Sequence, residues 1–227
     1  TTGRLKYSSA YSTSTRPWDV AIGDVSNDGK NDVVVSCGYS SACYVDVLTQ
    51  TTDGKLNTKI SYEASSGSSS AYFVDIGDLN SDGLNDVATQ DQTGQYLRVF
   101  FQNPSTGGLD SATSFSTGYY GSGLAIGDCL SSSGNEVAIY YEPNTQYYYY
   151  YSPSLRILKQ SGGTLATDST SLLSYYAWNY GTPFPVEIGD INGDGREDVV
   201  IGWYDQWNWP YTYYLSVFNQ TSGGSLA

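Results

Sequence analysis

The stretch Glu187–Ile201, EIGDINGDGREDVVI, decides the fold, because it occurs four times. The other copies are Ala21–Val35 (AIGDVSNDGKNDVVV), Asp75–Thr89 (DIGDLNSDGLNDVAT) and Ala125–Ile139 (AIGDCLSSSGNEVAI). In each, a short apolar strand runs into Gly-Asp, an acidic nine-residue loop follows, and a second, β-branched strand begins. Counted from the Asp after the Gly, three loops place side-chain oxygens at positions 1, 3, 5 and 9. These are Asp24, Ser26, Asp28 and Asp32; Asp78, Asn80, Asp82 and Asp86; and Asp190, Asn192, Asp194 and Asp198. Gly at position 6 permits a sharp turn. Position 7 (Lys30, Leu84, Arg196) can add a backbone carbonyl. Such oxygen sets suit Ca²⁺, which takes six to eight oxygen ligands at about 2.3–2.6 Å.

The first six positions also match an EF-hand loop. That motif needs a bidentate Glu at position 12 and a helix on each side. Position 12 here is Val35, Thr89, Ile139 or Ile201, and the flanks are strand formers. The sequence therefore predicts a calcium loop between two strands. A single D-x-N-x-D-G run is otherwise an ordinary Asn/Asp/Gly turn. Three in phase with a repeat are a pattern.

The repeat extends beyond the loop. The position 1 Asp recurs at Asp24, Asp78, Asp128 and Asp190, at spacings of 54, 50 and 62 residues. A second element follows each loop: YVDVLTQ (44–50), YLRVFFQ (96–102), SLRILKQ (154–160) and YLSVFNQ (214–220). Its apolar positions alternate with polar ones, the period of a strand. A Gly-containing turn then leads to a further strand beginning at Leu56, Leu109 or Leu165. Each unit thus reads as four strands, A to D, with the acidic loop joining A to B.

Four antiparallel strands per unit of about 50 residues is a propeller blade. The expected architecture is all-β: one domain, 1–227, of four four-stranded blades in units 12–64, 65–117, 118–175 and 176–227. Residues 1–11 align with the start of strand D. Arg4–Tyr11 is expected to complete the last blade, either of its own chain or of a neighbouring copy, the latter giving a ring or a filament.

These residues resemble the FG-GAP/VCBS repeat family, the calcium-loop repeats of integrin α-subunit propellers and of secreted microbial and fungal propellers. The resemblance rests on G-D-x-N-x-D-G-x-x-D-V, carried in full by Gly77–Val87 and Gly189–Val199, and by Gly23–Val33 with Ser26 for Asn. Gly127–Val137 departs from it. Leu130 replaces the position 3 oxygen, Ser132 and Ser133 replace Asp-Gly, and Glu136 replaces the closing Asp. The resemblance implies about three Ca²⁺ sites, with loop 128–136 degenerate.

Composition narrows the function. A net charge of −13 leaves nothing to neutralise phosphates or to dock on an anionic membrane. No nucleic-acid partner and no membrane insertion are expected, and no apolar run reaches the 18 or so residues of a helical span. The nine Asp of the three loops supply much of that charge. The chain starts at Thr1 and has no Met, which reads as a mature or excised product. Calcium loops and a Ser/Thr/Gly/Tyr-rich composition suggest an extracellular, secreted or cell-surface setting, where weak calcium sites fill. Cys37 and Cys43 lie either side of GYSSA. They are either a disulfide across a hairpin or two buried thiols, and the setting favours the bridge. Cys129 replaces an apolar loop residue and reads as a small buried one.

In a meander, successive connections alternate ends, so the calcium loops share one face and the B–C hairpins the other. That second face is aromatic: YYEPNTQYYYYY (140–151), WYDQWNWPYTYY (203–214) and YYAWNY (175–180). The ligand candidates are Trp203, Tyr204, Trp207, Trp209, Tyr211, Tyr176 and Trp178, the alternative for any one ring being packing between blades. With no His in the chain and the spaced acids accounted for by calcium, no catalytic constellation stands out, and no enzyme is expected. The function expected is a recognition or adhesion module for carbohydrate or an extracellular protein. The alternative is a structural subunit of a homopolymer or filament.

Overall fold

Strand alternation and Gly-rich turns set the architecture of the computed structural model. It describes residues 8–38, 42–66, 71–91, 96–117, 120–130, 134–142, 154–161, 164–172, 185–205 and 212–227. The first sheet holds β1 (Pro17–Gly23), β2 (Asp32–Gly38), β3 (Ala42–Leu48) and β4 (Ile60–Ser66) in that order. The second holds β5 (Ala71–Gly77), β6 (Asp86–Asp91), β7 (Tyr96–Phe100) and β8 (Thr113–Ser116). The third holds β9 (Tyr120–Gly127), β10 (Glu136–Glu142), β11 (Ser154–Ser161) and β12 (Thr164–Leu172). The fourth holds β13 (Val186–Gly189), β14 (Asp198–Asp205) and β15 (Thr212–Phe218).

All pairs are antiparallel and sequential, the meander of a propeller blade. The first, innermost strand of each blade packs on that of the next, β1 on β5, β5 on β9 and β9 on β13. The chain is a β-propeller. Among the described residues the fourth blade has three strands. The expected closing strand, Arg4–Tyr11, lies outside them up to residue 7, and Ser8–Tyr11 forms no strand.

Inner-strand alternation places one apolar row on each face, so every blade-to-blade interface becomes a core. Val45, Val47 and Val74 share the first, Leu97, Val99 and Leu124 the second, Leu155, Ile157 and Val186 the third. A bridge between the last residue of each strand C element and a Leu five to seven residues on closes the C–D turn: Gln50–Leu56, Gln102–Leu109 and Gln220–Leu226. In blade three Gln160 pairs with Leu165 inside the ladder.

The favoured disulfide is corrected by register. Cys37 lies opposite Tyr44, and Cys43 opposite Gly38. Directly opposed residues share a sheet face and adjacent ones do not, so the two thiols emerge on opposite faces. Both are free and buried. Cys43 joins the core between the first two blades, while Cys37 packs with Val35 and Leu48. Cys37 Sγ donates to Asp46 Oδ2 at 3.5 Å. Burial, reinforced by the Asp46 charge, pushes that thiol up to about 11. Cys129 is fully buried.

Candidate metal centres

In the three full-pattern loops the position 1 carboxylate organises the turn from within. Asp24 Oδ1 accepts from the Ser26 and Asp28 amides at 3.3 and 3.2 Å, and Oδ2 from Gly29 at 2.8 Å. Asp78 Oδ1 accepts from Asn80, Ser81 and Asp82, and Oδ2 from Gly83 at 2.8 Å. Asp190 repeats the arrangement with Gly193, Asp194 and Gly195. The amide of Gly195, with those of its neighbours, holds the Asp190 carboxyl below the usual carboxylate range. To turn this tightly the backbone is left-handed at position 6 (Gly29, Gly83 and Gly195, φ 80 to 83°) and also at position 4. There Asn27 and Ser81, at φ 56 and 63°, adopt a conformation uncommon for residues with a side chain.

Position 5 accepts from the amide of position 7 at 2.9–3.0 Å in every loop. Its second oxygen distinguishes the loops. Asp28 pairs with Lys30 Nζ at 2.5 Å and Asp194 with Arg196 Nη2 at 2.7 Å, whereas Asp82 accepts from Asn80 Nδ2 at 3.1 Å and meets no cation among the described residues. The Lys30 hydrogen bond is the main cause holding the Asp28 carboxyl below its usual range. Leu84, between Asp82 and Asp86, offers no side-chain charge.

Position 9 does something the sequence did not announce. Asp32, Asp86 and Asp198 are fully buried. Asp86 accepts from the Leu79 amide through Oδ2 and the Gln102 amide through Oδ1, both at 2.9 Å. Asp32 brackets Val25 and Gln50 in the same way, at 3.1 and 2.8 Å. Asp198 accepts from the Gln220 amide at 2.9 Å and from Asn192 Nδ2 at 3.1 Å. This acid ties the loop to the end of strand C. Burial pushes the Asp86 carboxyl up to about 6, against the pull of its two amides. The Gln that ends all four strand C elements was the signal available in the sequence.

The degenerate loop keeps the bracket. Glu136 Oε2 accepts from the Leu130 amide at 3.0 Å, and both residues are buried. Leu130 itself enters the core between blades three and four. Residues 131–133 lie outside the described set.

Among the described residues no three His, Cys, Asp or Glu side chains gather as a metal cluster. The bracket holds the position 9 carboxylate against amides. The remaining donors, carboxylates at positions 1 and 5 and a neutral oxygen at 3, fit a hard cation by type. Ser26 Oγ, at position 3 of the first loop, is buried beside the Asp28 carboxylate, so two of the loop's oxygens face each other.

Position 8 links the loops around the propeller. Asn85 Nδ2 donates to Asp24 O at 3.0 Å, the Asn135 amide to Asp78 O at 3.3 Å, and Glu197 Oε2 accepts from the Asp128 amide at 2.7 Å. Gln220 Nε2 adds a bond to Asp128 O at 2.8 Å.

At the other end of the blades the aromatic reading is corrected at one residue. Trp203 shares its strand face with Val199 and Ile201, and it is 5% exposed, in the core against blade three. Its ring stacks on Tyr214 at 4.3 Å, and Nε1 donates to Ser216 Oγ at 2.8 Å. It is a packing residue. Tyr204 follows it on β14, its side chain outside the described set. Trp207, Trp209, Tyr211, Tyr176 and Trp178 lie outside the described residues. β14 leaves its loop at Asp198 and ends at Asp205, so its connection to β15 stands at the end of the blade away from the loops.

The comparisons agree with this geometry. Residues 24–89, from the first loop to the second, match the model of the FG-GAP-like repeat. Among solved structures the chain is similar to the exotype rhamnogalacturonan lyase YesX, with a TM-score of 0.50 at 12% identity. The match covers 93% of this chain and 48% of the lyase chain, so this chain spans about half its length. At that identity the likeness is one of fold. No curated protein matches the sequence.

Proposed function

We propose that this chain is an extracellular, calcium-binding β-propeller that acts as a recognition or adhesion module for carbohydrate or protein. The observation that carries the calcium reading is the threefold repetition of one oxygen-lined loop, turned each time about its position 1 carboxylate. Asp24, Ser26 and Asp28; Asp78, Asn80 and Asp82; and Asp190, Asn192 and Asp194 would hold the ions. The carbonyls of Lys30, Leu84 and Arg196 would complete each set, as would any lone pair the position 9 carboxylates keep beyond their amides. Bound Ca²⁺ would offset the facing charges at positions 1 and 5. Of the three, the Asp78–Asp86 loop, with no cation against its position 5 acid, is expected to bind most tightly.

The recognition reading is supported by the aromatic and Asn/Gln density of segments 140–151 and 203–214. Rings beside amides and carboxylates suit sugars and protein hot spots alike. Catalysis is not part of the proposal.

Calorimetric titration with Ca²⁺, paired with thermal melting in calcium and in chelator, tests the metal half. About three sites are expected. Each adds about 1.4 kcal/mol at tenfold saturation. Melting that chelator leaves unchanged would remove calcium from the reading. A glycan array probed with the calcium-loaded protein tests the ligand half, and an empty array would move the ligand to the protein class.

A further inference from the structure

The middle residue of strand C faces back, towards the chain that precedes its blade, and in two blades it holds that chain. Asp46 on β3 accepts from the Ser14 amide and the Ser14 hydroxyl, both at 2.6 Å. Arg156 on β11 donates from Nη1 to Thr117 O at 2.6 Å, just past the last strand of blade two. Arg98, at the same position of β7, makes no such bond among the described residues. Its Nη1 donates instead to Ser114 Oγ, directly opposite in its own blade, and its guanidinium lies 4.9 Å from the centre of the Tyr96 ring.

A groove of about 350 Å³ stands where that bond would run. It is lined by Glu63, Ala64 and Ser65 of β4 in blade one and by Arg98, Ser111 and Ala112 of blade two. Ala64 corresponds to Thr117, since each follows the Leu that opens strand D, Leu56 or Leu109, by the same interval. Four short side chains leave the space, and two charged ones face it. The volume falls in the range of small-molecule sites, roughly 300–1,000 Å³.

The two charges do not neutralise each other. Neither Glu63 nor Arg98 forms an ion pair among the described residues. Arg98 Nε is buried and has no hydrogen-bond partner. With Nη1 on Ser114, the Nε–Nη2 edge of the guanidinium is left over. Its two parallel N–H groups match the two oxygens of a carboxylate. A buried donor without an acceptor is a cost that a ligand oxygen would relieve. Glu63, exposed on the blade one wall, can accept from a cation.

We propose that the groove between blades one and two binds a free amino acid, its carboxylate on the Arg98 guanidinium and its ammonium on Glu63. A zwitterion supplies both counter-charges at once. It carries no net charge, so the −13 of the chain does not oppose it as it would a net anion. A neutral polyol would bridge the same walls by hydrogen bonds alone and leave both charges uncompensated. The hydroxyls of Ser65 and Ser111, one from each blade, favour a small polar side chain on the ligand. None of the loop oxygens or aromatic candidates lines the groove, so the proposal goes beyond the function given above and does not rest on it.

An NMR titration of the whole chain with L-serine tests it, with the Arg98 Nε–H resonance as reporter. The comparison ligands are ethanolamine, which lacks the carboxylate, 3-hydroxypropanoate, which lacks the ammonium, and glucose. Serine is expected to bind and to shift the Arg98 signal. Each one-charge analogue should bind about tenfold more weakly or worse, the worth of one charge-assisted hydrogen bond. Glu63→Gln, at an exposed residue, should keep the circular dichroism of the parent, lose serine affinity by a similar factor and leave 3-hydroxypropanoate unchanged. Arg98→Lys keeps the charge without the fork, and should weaken serine and 3-hydroxypropanoate alike. No serine binding at millimolar concentration, glucose that binds as tightly as serine, or variants that bind like the parent would each overturn the assignment.

Discussion

The second and third repeats share one four-stranded meander and differ in the chemistry of their loops. Both run an inner strand into Gly-Asp, and both bury an acid at position 9 that accepts from the amide of position 3 or 2 (Glu136 from Leu130, Asp86 from Leu79). Both hand a hydrogen bond to or from a neighbouring loop. Yet repeat two keeps Asn80 and Asp82 at the loop surface, and repeat three sends Leu130 into the core. Two layers of one motif therefore separate. The Gly before the loop, a socket for an Ile knob of the next inner strand (Ile76 at Gly23, Ile126 at Gly77, Ile188 at Gly127), and the buried acid make the blade; positions 1, 3 and 5 make the candidate site. A repeat can lose the second layer while retaining the first.

The sharpest way to break this division is Asp86→Ala. It orphans the buried Leu79 and Gln102 amides and should cost about 4 kcal/mol with or without calcium. Asp82→Ala should stay within about 0.5 kcal/mol in chelator and instead weaken calcium binding. Equal losses in urea melts of the two variants would collapse the two layers into one. Leu130→Ala, a core truncation, should cost about 3 kcal/mol, where Asn80→Ala in the corresponding loop position should be near neutral without calcium.

A third contrast lies in the inner strands, where repeat two carries Asp75 and repeat three Ala125. Asp75 is half-buried and accepts from the Ile126 amide at 2.7 Å. Burial, aided by Glu187 and Asp19, raises its carboxyl to about 6 even though the Ile76 and Ile126 amides pull it down. A folded-state value above the ordinary 3.8 means that the unfolded chain ionises first. This group's contribution therefore falls as pH rises from about 4 to about 6 and stays low above that. Asp75→Asn keeps an acceptor for only one of the Ile76 and Ile126 amides, and should flatten that part of the stability–pH curve. An unchanged slope would assign the pH dependence elsewhere. A smaller effect than that of the buried groups is expected of Gly83→Ser, which writes repeat three's Ser133 into repeat two. No atom obstructs the new Cβ, so the cost is the left-handed backbone alone, about 1 kcal/mol.

Local features of the fold were legible in the sequence, and features of facing were read less well. Gly-Asp, the loop spacing and the alternation of YLRVF predict blades because each is a pattern within a few residues. The cysteines failed on parity: five residues between them suggest a hairpin, but only the register of Cys37 with Tyr44 reveals opposite faces. Trp203 was misread for its company in an aromatic run, although its period of two with Val199 and Ile201 placed it inside. Type and spacing place the position 9 acid in the loop, but that it also accepts from backbone amides, as Asp86 does from Leu79 and Gln102, shows only in the fold.

The junctions carry a consequence for descent. Ile22 and Gly23, and their counterparts in every repeat, are neighbours in sequence, so one short segment encodes both the knob for the blade before and the socket for the blade after. Duplication or deletion of a whole repeat of about 50 residues then leaves a matching seam wherever the cut falls. Blade number becomes a matter of counting copies, and a gene can lengthen or shorten its ring without any seam having to evolve anew.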